Sequence, residues 1–409
     1  MTRRFDLVIV GGGMVGASLA VAVAPLGLRV GLVEAIRHDS GEQPSFDERT
    51  TALSNGSRRI FETLGIWREI AAAATPIAKI HVSDQGHFGM ARIDAREQGL
   101  PALGFVLPNR VLGAALWSHI NNGRAIDVFC PAELTAINPG RDSVSVTVTA
   151  ADGVPTVIET GLIVAADGAH SSVRAAFGVD GASRDYGQTA VITTVLPQHF
   201  HDHVAYERFT ATGPLALLPL ADGRCTLVLT LSHELAQSAM AWSDAEFLAE
   251  LQRRFGYRLG RFLQVGRRVP YPLALTQATR TTSGRCVILG NAAQGLHPVA
   301  GMGFNLGLRD VASLAELIAD HSARGDADLG EPGLLAEYAA WRRQDRRAII
   351  GFTDGLVRVF SNPLGVVRRA RNLALLAFDL LPPAKAALSA LSTGASGRTP
   401  KLARGVALR

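Results

Sequence analysis

Gly11-Gly12-Gly13-Met14-Val15-Gly16 follows directly on the apolar, β-branched run FDLVIV, and small apolar residues continue beyond it. The order is strand, turn, helix start. The spacing fits G-x-G-x-x-G, with Gly11 for a tight turn, Gly13 for close approach of a pyrophosphate to the backbone, and Gly16 for close helix–strand packing. Met14 and Val15 then fall in the first helical turn, whose unpaired N–H groups and positive dipole end attract an anion. The next strand, LRVGLVE, closes on Glu34. An acid about twenty residues after the glycines is placed to bind a ribose hydroxyl. Together these features predict dinucleotide binding.

Two further stretches carry the same signature of bare backbone. Residues 290–307, GNAAQGLHPVAGMGFNLG, are stripped back to glycine and alanine around one His-Pro pair, and VAADGAHSSVR sets Asp167-Gly168 at the end of a buried apolar run. A helix start without intervening side chains can stabilise negative charge on a bound group. The bland alternative is a glycine-rich turn at a tight helix–sheet crossing. For Gly11–Gly16 the alternative is a glycine-rich turn in some other α/β fold, which leaves Glu34 unexplained.

Other chemistry is less well supported. His199, His201 and His203 alternate in QHFHDH as strand ligands could, but no fourth ligand pattern follows. They read as surface-loop histidines, and no metal is expected. Asp47 and Glu48 beside Arg49 read as a solvated cluster rather than an acid–base pair. His297 has two readings: it lies near a bound group, or it caps its loop with the ring packed on a sheet. No residue is singled out as a catalytic acid or base.

A chain of 409 residues, 47% hydrophobic and 19% charged, is long enough for two domains and an appendage. Every apolar run is broken before membrane-spanning length. The three cysteines are far apart with no C-x-x-C pair, which suits a reducing cytoplasm. A net charge of +5 comes without a basic stripe interleaved with aromatics, so nucleic-acid binding is not expected. The N-terminal arginines and apolar run superficially resemble a secretory leader. Asp6 and the glycines interrupt it, so the segment is expected to be structural.

Along the chain, a polar loop after Glu34 ends near Arg49, and SNGSRRIFETLGIWREI has a helical pattern. A helix starts near Asn109, beside Arg110. Residues 130–174 alternate as a β-meander that ends in a buried strand and a turn. Residues 181–270 mix strands with one helix, capped by Ser243 or Asp244. RCVILG then leads into the 290–307 stretch and an amphipathic helix. The predicted fold class is α/β: a discontinuous Rossmann-like domain (1–75, 101–180 and 271–340), an inserted β-sheet domain (76–100 and 181–270), and a C-terminal helical segment (341–409).

With these three motifs in this order, residues 4–350 resemble the single-component flavoprotein aromatic hydroxylases, the para-hydroxybenzoate hydroxylase fold group. DERTTALSNGSRRIFETLGIW, KIHVSDQGHFG, YERFTATGPLALLPLADGRCTLV and HPVAGMGFNLGLRDV are similar to the ubiquinone-biosynthesis hydroxylases within it. The resemblance implies FAD as cofactor, NAD(P)H as transient co-substrate, and oxygen insertion into an electron-rich ring. It implies a polyprenylated phenol as substrate, with other ubiquinone-biosynthesis proteins as partners, and it makes the Rossmann-like domain the FAD-binding domain and the inserted sheet the substrate domain.

Carried over by residue, the resemblance puts Glu34 on the adenosine ribose, and Arg49 and Arg110 on the pyrophosphate or flavin side. It puts the backbone of Leu134 beside the adenine, and Asp167 in the turn that approaches FAD and the pyridine nucleotide. Asn291 stands where the family has an aspartate directed at the ribityl chain or ribose. From Pro298 onward the chain lies against the flavin, with Gly301, Met302 and Gly303 offering N–H groups to its pyrimidine edge and Asn305 beginning a helix. Gln294 occupies a position that is usually histidine, and Met302 one that is commonly glutamine. A single dinucleotide fingerprint implies that NAD(P)H binds across the surface rather than in a second Rossmann domain. The basic, leucine-bearing C-terminal segment keeps two readings: docking on anionic membrane lipid or a substrate-delivering partner at the inner face of the membrane, or covering the FAD domain with a solvated basic face.

Overall fold

The computed structural model describes residues 2–408 except 41–42, 44, 46–48, 327, 361–364, 382, 386 and 388–396. Asp47 and Glu48 therefore lie outside the described residues. The apolar runs that precede the three motifs become neighbouring strands. Arg3–Val10 pairs in parallel with both Val30–Val33 and Pro155–Ala165, and Pro155–Ala165 pairs in parallel with Cys286–Ile288. Such strands are buried on both faces, which is why they read as continuous Val, Ile and Leu rather than as alternation.

Register does the rest. Val10 lies opposite both Val33 and Ala165, and Ala165 lies opposite Ile288. The four strands thus end in one row. Gly11, Glu34, Ala166 and Leu289 all leave the sheet at the same carboxyl edge, where open α/β sheets bind ligands. The meander is present as well: Ala132–Pro139, Val144–Ala150 and Pro155–Ala165 pair antiparallel in sequence order.

A second sheet has the order Gln294–Gly295, Val269–Ala278, Gly181–Pro197, Cys225–Ser232, Gly213–Pro219, Val204–Thr210, Lys79–Asp84, Met90–Asp94, with Phe262–Val265 on the side of Gly181–Pro197. Val269–Ala278 carries this sheet past residue 270, where the sequence reading ended the inserted domain. Its outer face packs under the helices His233–Ala241 and Asp244–Phe255. Ser243 caps the latter through a reciprocal box with Glu246. A small third sheet, Thr50–Ser54, Gly104–Pro108 and Thr75–Ile77, joins the two regions.

The C-terminal segment bridges both sheets. The helix Pro332–Phe360 packs on Met302–Ala323, and Gly365–Leu380 lies along Met90–Asp94 of the second sheet. Residues 397–408 then return to the first domain, where Leu402, Ala403 and Leu408 join its core. Several of the basic residues face inward: Arg342 pairs with Asp310 and Asp345, and Arg371 with Asp84. Arg358 pairs with Asp354, and Lys385 with Asp379. The segment therefore does more than present a solvated basic face. No helix among the described residues is long and apolar enough to cross a membrane.

Candidate functional site

At the first motif, Gly11 turns with φ of +99°, and a Cβ there would lie 2.4 Å from the Ala166 carbonyl oxygen. A Cβ on Gly16 would sit 1.8 Å from the Gly11 oxygen. Both contacts are with backbone, so no side chain fits at either position. The helix Met14–Val23 starts at Gly13 with no side-chain cap and no acid in its first turn. The N–H groups around Met14 and Val15 are left for an external anion.

Glu34 is buried at 8% exposure. Its carboxylate accepts from the Gly12 N–H at 2.6 Å and the Ile36 N–H at 2.8 Å. A carboxylate has about four acceptor sites, so two bonds hold its orientation and capacity for a ribose remains. Trp117, which the sequence reading did not single out, donates its indole N–H to the Gly12 carbonyl at 3.1 Å and stacks on His38 at 4.5 Å. Nothing in its local sequence marks that role, because Trp117 lies within a helix far along the chain.

Arg49 and Arg110 come together at the junction of strand and helix: the Asn109 N–H donates to the Arg49 carbonyl at 2.8 Å. Arg110 is exposed beside it, and the Arg49 guanidinium lies 5.0 Å from the Tyr271 ring of the second sheet. Leu134 is half-buried against the meander core, and nearby Ala132 donates its N–H to the Glu34 carbonyl at 2.8 Å. Asp167 follows Ala166 at the strand edge. One of its oxygens accepts from Ser172 and the Val173 N–H at 3.3 and 3.2 Å, while Oδ1 is buried with no partner among the described residues. A buried carboxylate oxygen without a donor calls for one from a bound group.

The 290–307 stretch has two halves. In the first, Gly290 turns at φ of +55° against Val15, and Asn291 stands exposed on the short helix Gly290–Ala293. Gln294 points away from the surface. Its Nε2 donates to Asp310 at 2.9 Å and its Oε1 accepts from Arg346 at 2.6 Å. Because aspartate only accepts and arginine only donates, these partners fix which way the amide faces. Gln294 thus belongs to a buried network with Asp310, Arg342 and Asp345 that ties this turn to two helices. By sequence alone Gln294 stands out only as a departure from the family pattern.

In the second half, Gly301 precedes the helix Met302–Ala323 at φ of +59°, again with no side-chain cap. Met302 is buried, and in front of Gly303 a Cβ would meet nothing within 4 Å. The Asn305 amide is fully used inside the protein: it accepts from the Ser54 N–H and Ser57 Oγ and donates to the Ala52 and Gly301 carbonyls. Its part is to anchor the helix start. Pro298 is exposed beside a small recess, and His297 is 1% exposed with its ring centroid 5.3 Å from that of Tyr186, edge to face. Burial pushes the His297 pKa down to about 4, so the ring is neutral near pH 7. Of its two expected positions, it takes one that is both packed and beside the recess.

The histidines of QHFHDH do not alternate along a strand. Asp202 and His203 have φ of 47° and 56°, and the buried His201 bonds the Leu220 carbonyl at 2.9 Å. The expected surface loop is thus pinned inward by its central histidine.

A turn that bars side chains, two uncapped helix starts, a buried acid and an orphaned carboxylate oxygen on one sheet edge fit an extended dianionic nucleotide such as FAD. A family model described as "FAD binding domain" matches residues 4–353. The chain is 37% identical to the ubiquinone hydroxylase UbiL of Rhodospirillum rubrum, covering 98% of this chain and 93% of that protein. It is 30% identical to the 3-demethoxyubiquinol 3-hydroxylase of Escherichia coli, covering 91% and 94%. The p-nitrophenol 4-monooxygenase PnpA of Pseudomonas putida shares the fold, with a TM-score of 0.81 at 20% identity over 97% of this chain and all of that one. The fold is that of the para-hydroxybenzoate hydroxylase group, and with these relatives it defines an FAD-dependent hydroxylase. The chain belongs to the ubiquinone-biosynthesis hydroxylase family within it.

Proposed function

We propose that the protein hydroxylates a polyprenylated phenol with O2 and NAD(P)H in ubiquinone biosynthesis, converting a 2-polyprenyl-6-methoxyphenol to its benzoquinol. The supporting observation is similarity along nearly the whole chain to a ubiquinone hydroxylase. The 30% identity to a 3-demethoxyubiquinol 3-hydroxylase favours, as second reading, a different ring position on a related substrate.

In this reading the bound FAD supplies hydride acceptance and oxygen activation. The protein's part is positional and electrostatic. The helix start at Met14 and Val15 binds the pyrophosphate, with Arg49 and Arg110 beside it. Glu34 holds the adenosine ribose next to Leu134, and Asp167 and Asn291 take hydroxyl groups along the chain of the cofactor. Gly301, Met302 and Gly303 present N–H groups to the flavin edge, where bare backbone stabilises developing negative charge. The ring lies against Pro298, with water kept from the reacting face. NAD(P)H visits transiently, and the enzyme acts at the inner face of the membrane, where a prenylated substrate resides.

Purified enzyme should consume O2 and NAD(P)H in step with hydroxylated product. A strain lacking the gene should accumulate the unhydroxylated prenylphenol, whose mass and fragmentation identify the ring position. NAD(P)H oxidation without oxygen in the product would replace this reading with a reductase.

A further inference from the structure

The second sheet carries an ionisable side chain on the face that packs against the 297–299 loop. Glu207 lies on Val204–Thr210, where Tyr206 packs on the outer-face core with Phe255 and Arg208 bonds the Arg254 carbonyl. Strand alternation therefore sends Glu207 to the inner face. There it lines a small recess of about 10 Å³ beside Pro298, with Pro214, Ala216, Val228 and Val299 as apolar walls. Its carboxylate holds no hydrogen bond or ion pair among the described residues. Burial alone pushes its pKa up to about 7.

Two more polar atoms line the same recess without partners. Thr230 Oγ1 and His297 Nε2 are both buried and unsatisfied among the described residues. The His297 tautomer follows from its other nitrogen: the Val299 N–H donates to Nδ1 at 3.2 Å, so the neutral ring carries its proton on Nε2. The recess thus offers one strong acceptor, one fixed N–H donor and one hydroxyl. A phenolic O–H matches that set, because its hydrogen can go to Glu207 while its oxygen accepts from His297. Native interiors rarely leave buried atoms such as Thr230 Oγ1 and His297 Nε2 unsatisfied, and a ligand hydroxyl would serve them and the half-buried Glu207 carboxylate.

We propose that Glu207 is the catalytic base that takes the phenolic proton of the substrate, with His297 Nε2–H donating to the resulting phenolate oxygen. The step is a proton transfer with no change in oxidation state. The phenol O–H bond breaks, an O–H bond forms on the Glu207 carboxylate, and the electron pair left on oxygen enriches the ring for hydroxylation. The charge moves from the carboxylate to an oxygen facing a fixed donor. The other groups around Glu207 do not compete: Pro214, Ala216 and Val228 are uncharged, and Asp84, one row along the neighbouring strand, is paired with Arg371. Tyr186 beside His297 is held by Asp354 at 3.3 Å, with its pKa pushed up to about 12 by burial.

This assignment rests on the phenol reading of the site, and the test separates the two. With FAD-loaded enzyme and a short-chain methoxyphenol, wild-type kcat/KM should rise with pH through about 7 and then level. Glu207→Gln should keep its FAD and lose about 100-fold or more at neutral pH. Its rate should climb with pH as the phenol ionises in solution, and formate should partly rescue Glu207→Ala. As a readout independent of turnover, oxidised holoenzyme should bind the phenol in preference to its O-methyl ether by the change in flavin absorbance. That preference should shrink in Glu207→Gln and in the near-isosteric Thr230→Val. Wild type that yields product with no acid limb near pH 7 and no preference over the ether overturns the assignment alone, as does a Glu207→Gln variant with unchanged rate and profile. Wild type that hydroxylates no phenol overturns the phenol reading with it.

Discussion

In the proposed site, the edge of the parallel sheet would meet the cofactor with peptide groups, whereas the inner face of the second sheet would meet the substrate with side chains. At the first, Gly11 and Gly16 admit no Cβ, and the helices beginning at Met14 and Met302 have no side-chain caps. At the second, Glu207, Thr230 and His297 gather at an apolar recess. The difference follows the ligands. A pyrophosphate or a reduced flavin carries a charge that many fixed N–H dipoles can share, and backbone cannot be substituted away. A phenol has one small polar group, so its recognition needs an acceptor of tuned basicity.

The comparison breaks most visibly at Gly16. Gly16→Val puts a side chain into the Gly11 carbonyl, 1.8 Å from the Cβ position, where neither strand nor helix has room to retreat. The expected result is no FAD per chain by absorbance after purification, or failure to fold. A yellow Gly16→Val protein would show that helix and strand are not locked together as described.

The next largest effect lies where the C-terminal segment clasps the second sheet. Arg371 makes paired bonds to Asp84 at 2.9 and 3.0 Å and also donates to the Phe360 carbonyl. Arg371→Ala leaves Asp84, 2% exposed, without its guanidinium. Breaking a buried pair on one side costs about 3–5 kcal/mol, so urea unfolding should shift by that amount. It follows that truncation near residue 363 would remove this clasp and the docked residues 397–408, and should destabilise both regions. Intact stability in the truncated chain would return the segment to a purely peripheral role.

Glu34→Ala comes third. Loss of a charged acceptor for ribose hydroxyls should weaken FAD by about 1.5–3 kcal/mol, read by fluorescence titration of the apoprotein. The fold should tolerate it better than Gly16→Val, since only the Gly12 and Ile36 N–H groups lose a partner.

These contrasts also mark what the sequence could disclose. The glycine fingerprint, Glu34 and the Asp167 turn were legible because each follows its own strand within a few residues, and a shared register then delivers them to one edge. The recess was not legible. Glu207, Thr230 and His297 are brought together only by sheet pairing and a loop, and no local pattern distinguishes a glutamate turned inward from its exposed counterparts. The arginines of the last segment misled for the same reason. In a chain they look like a basic face, yet Arg342 is 2% exposed because Asp310 on the facing helix and Asp345 one turn along its own helix both pair with it. Trp117 and Gln294 show the converse, residues whose partners lie too far along the chain to be read from spacing.

The smallest expected effect tests how far the peptide-built end depends on any side chain. Asn291 stands exposed just beyond the strand edge, where the family resemblance implies an aspartate, and its side chain holds no hydrogen bond among the described residues. An amide oxygen accepts from a hydroxyl as a carboxylate does, but a charged acceptor is stronger by about 1 kcal/mol. Exposure to water screens most of that difference, and a new negative charge near the cofactor's pyrophosphate opposes the rest. Asn291→Asp should therefore leave the FAD dissociation constant equal or lower, by less than about 1 kcal/mol, with unfolding unchanged. A loss larger than that would show that the amide N–H donates to the cofactor, making this position one where the backbone-built site has come to rely on a side chain of its own.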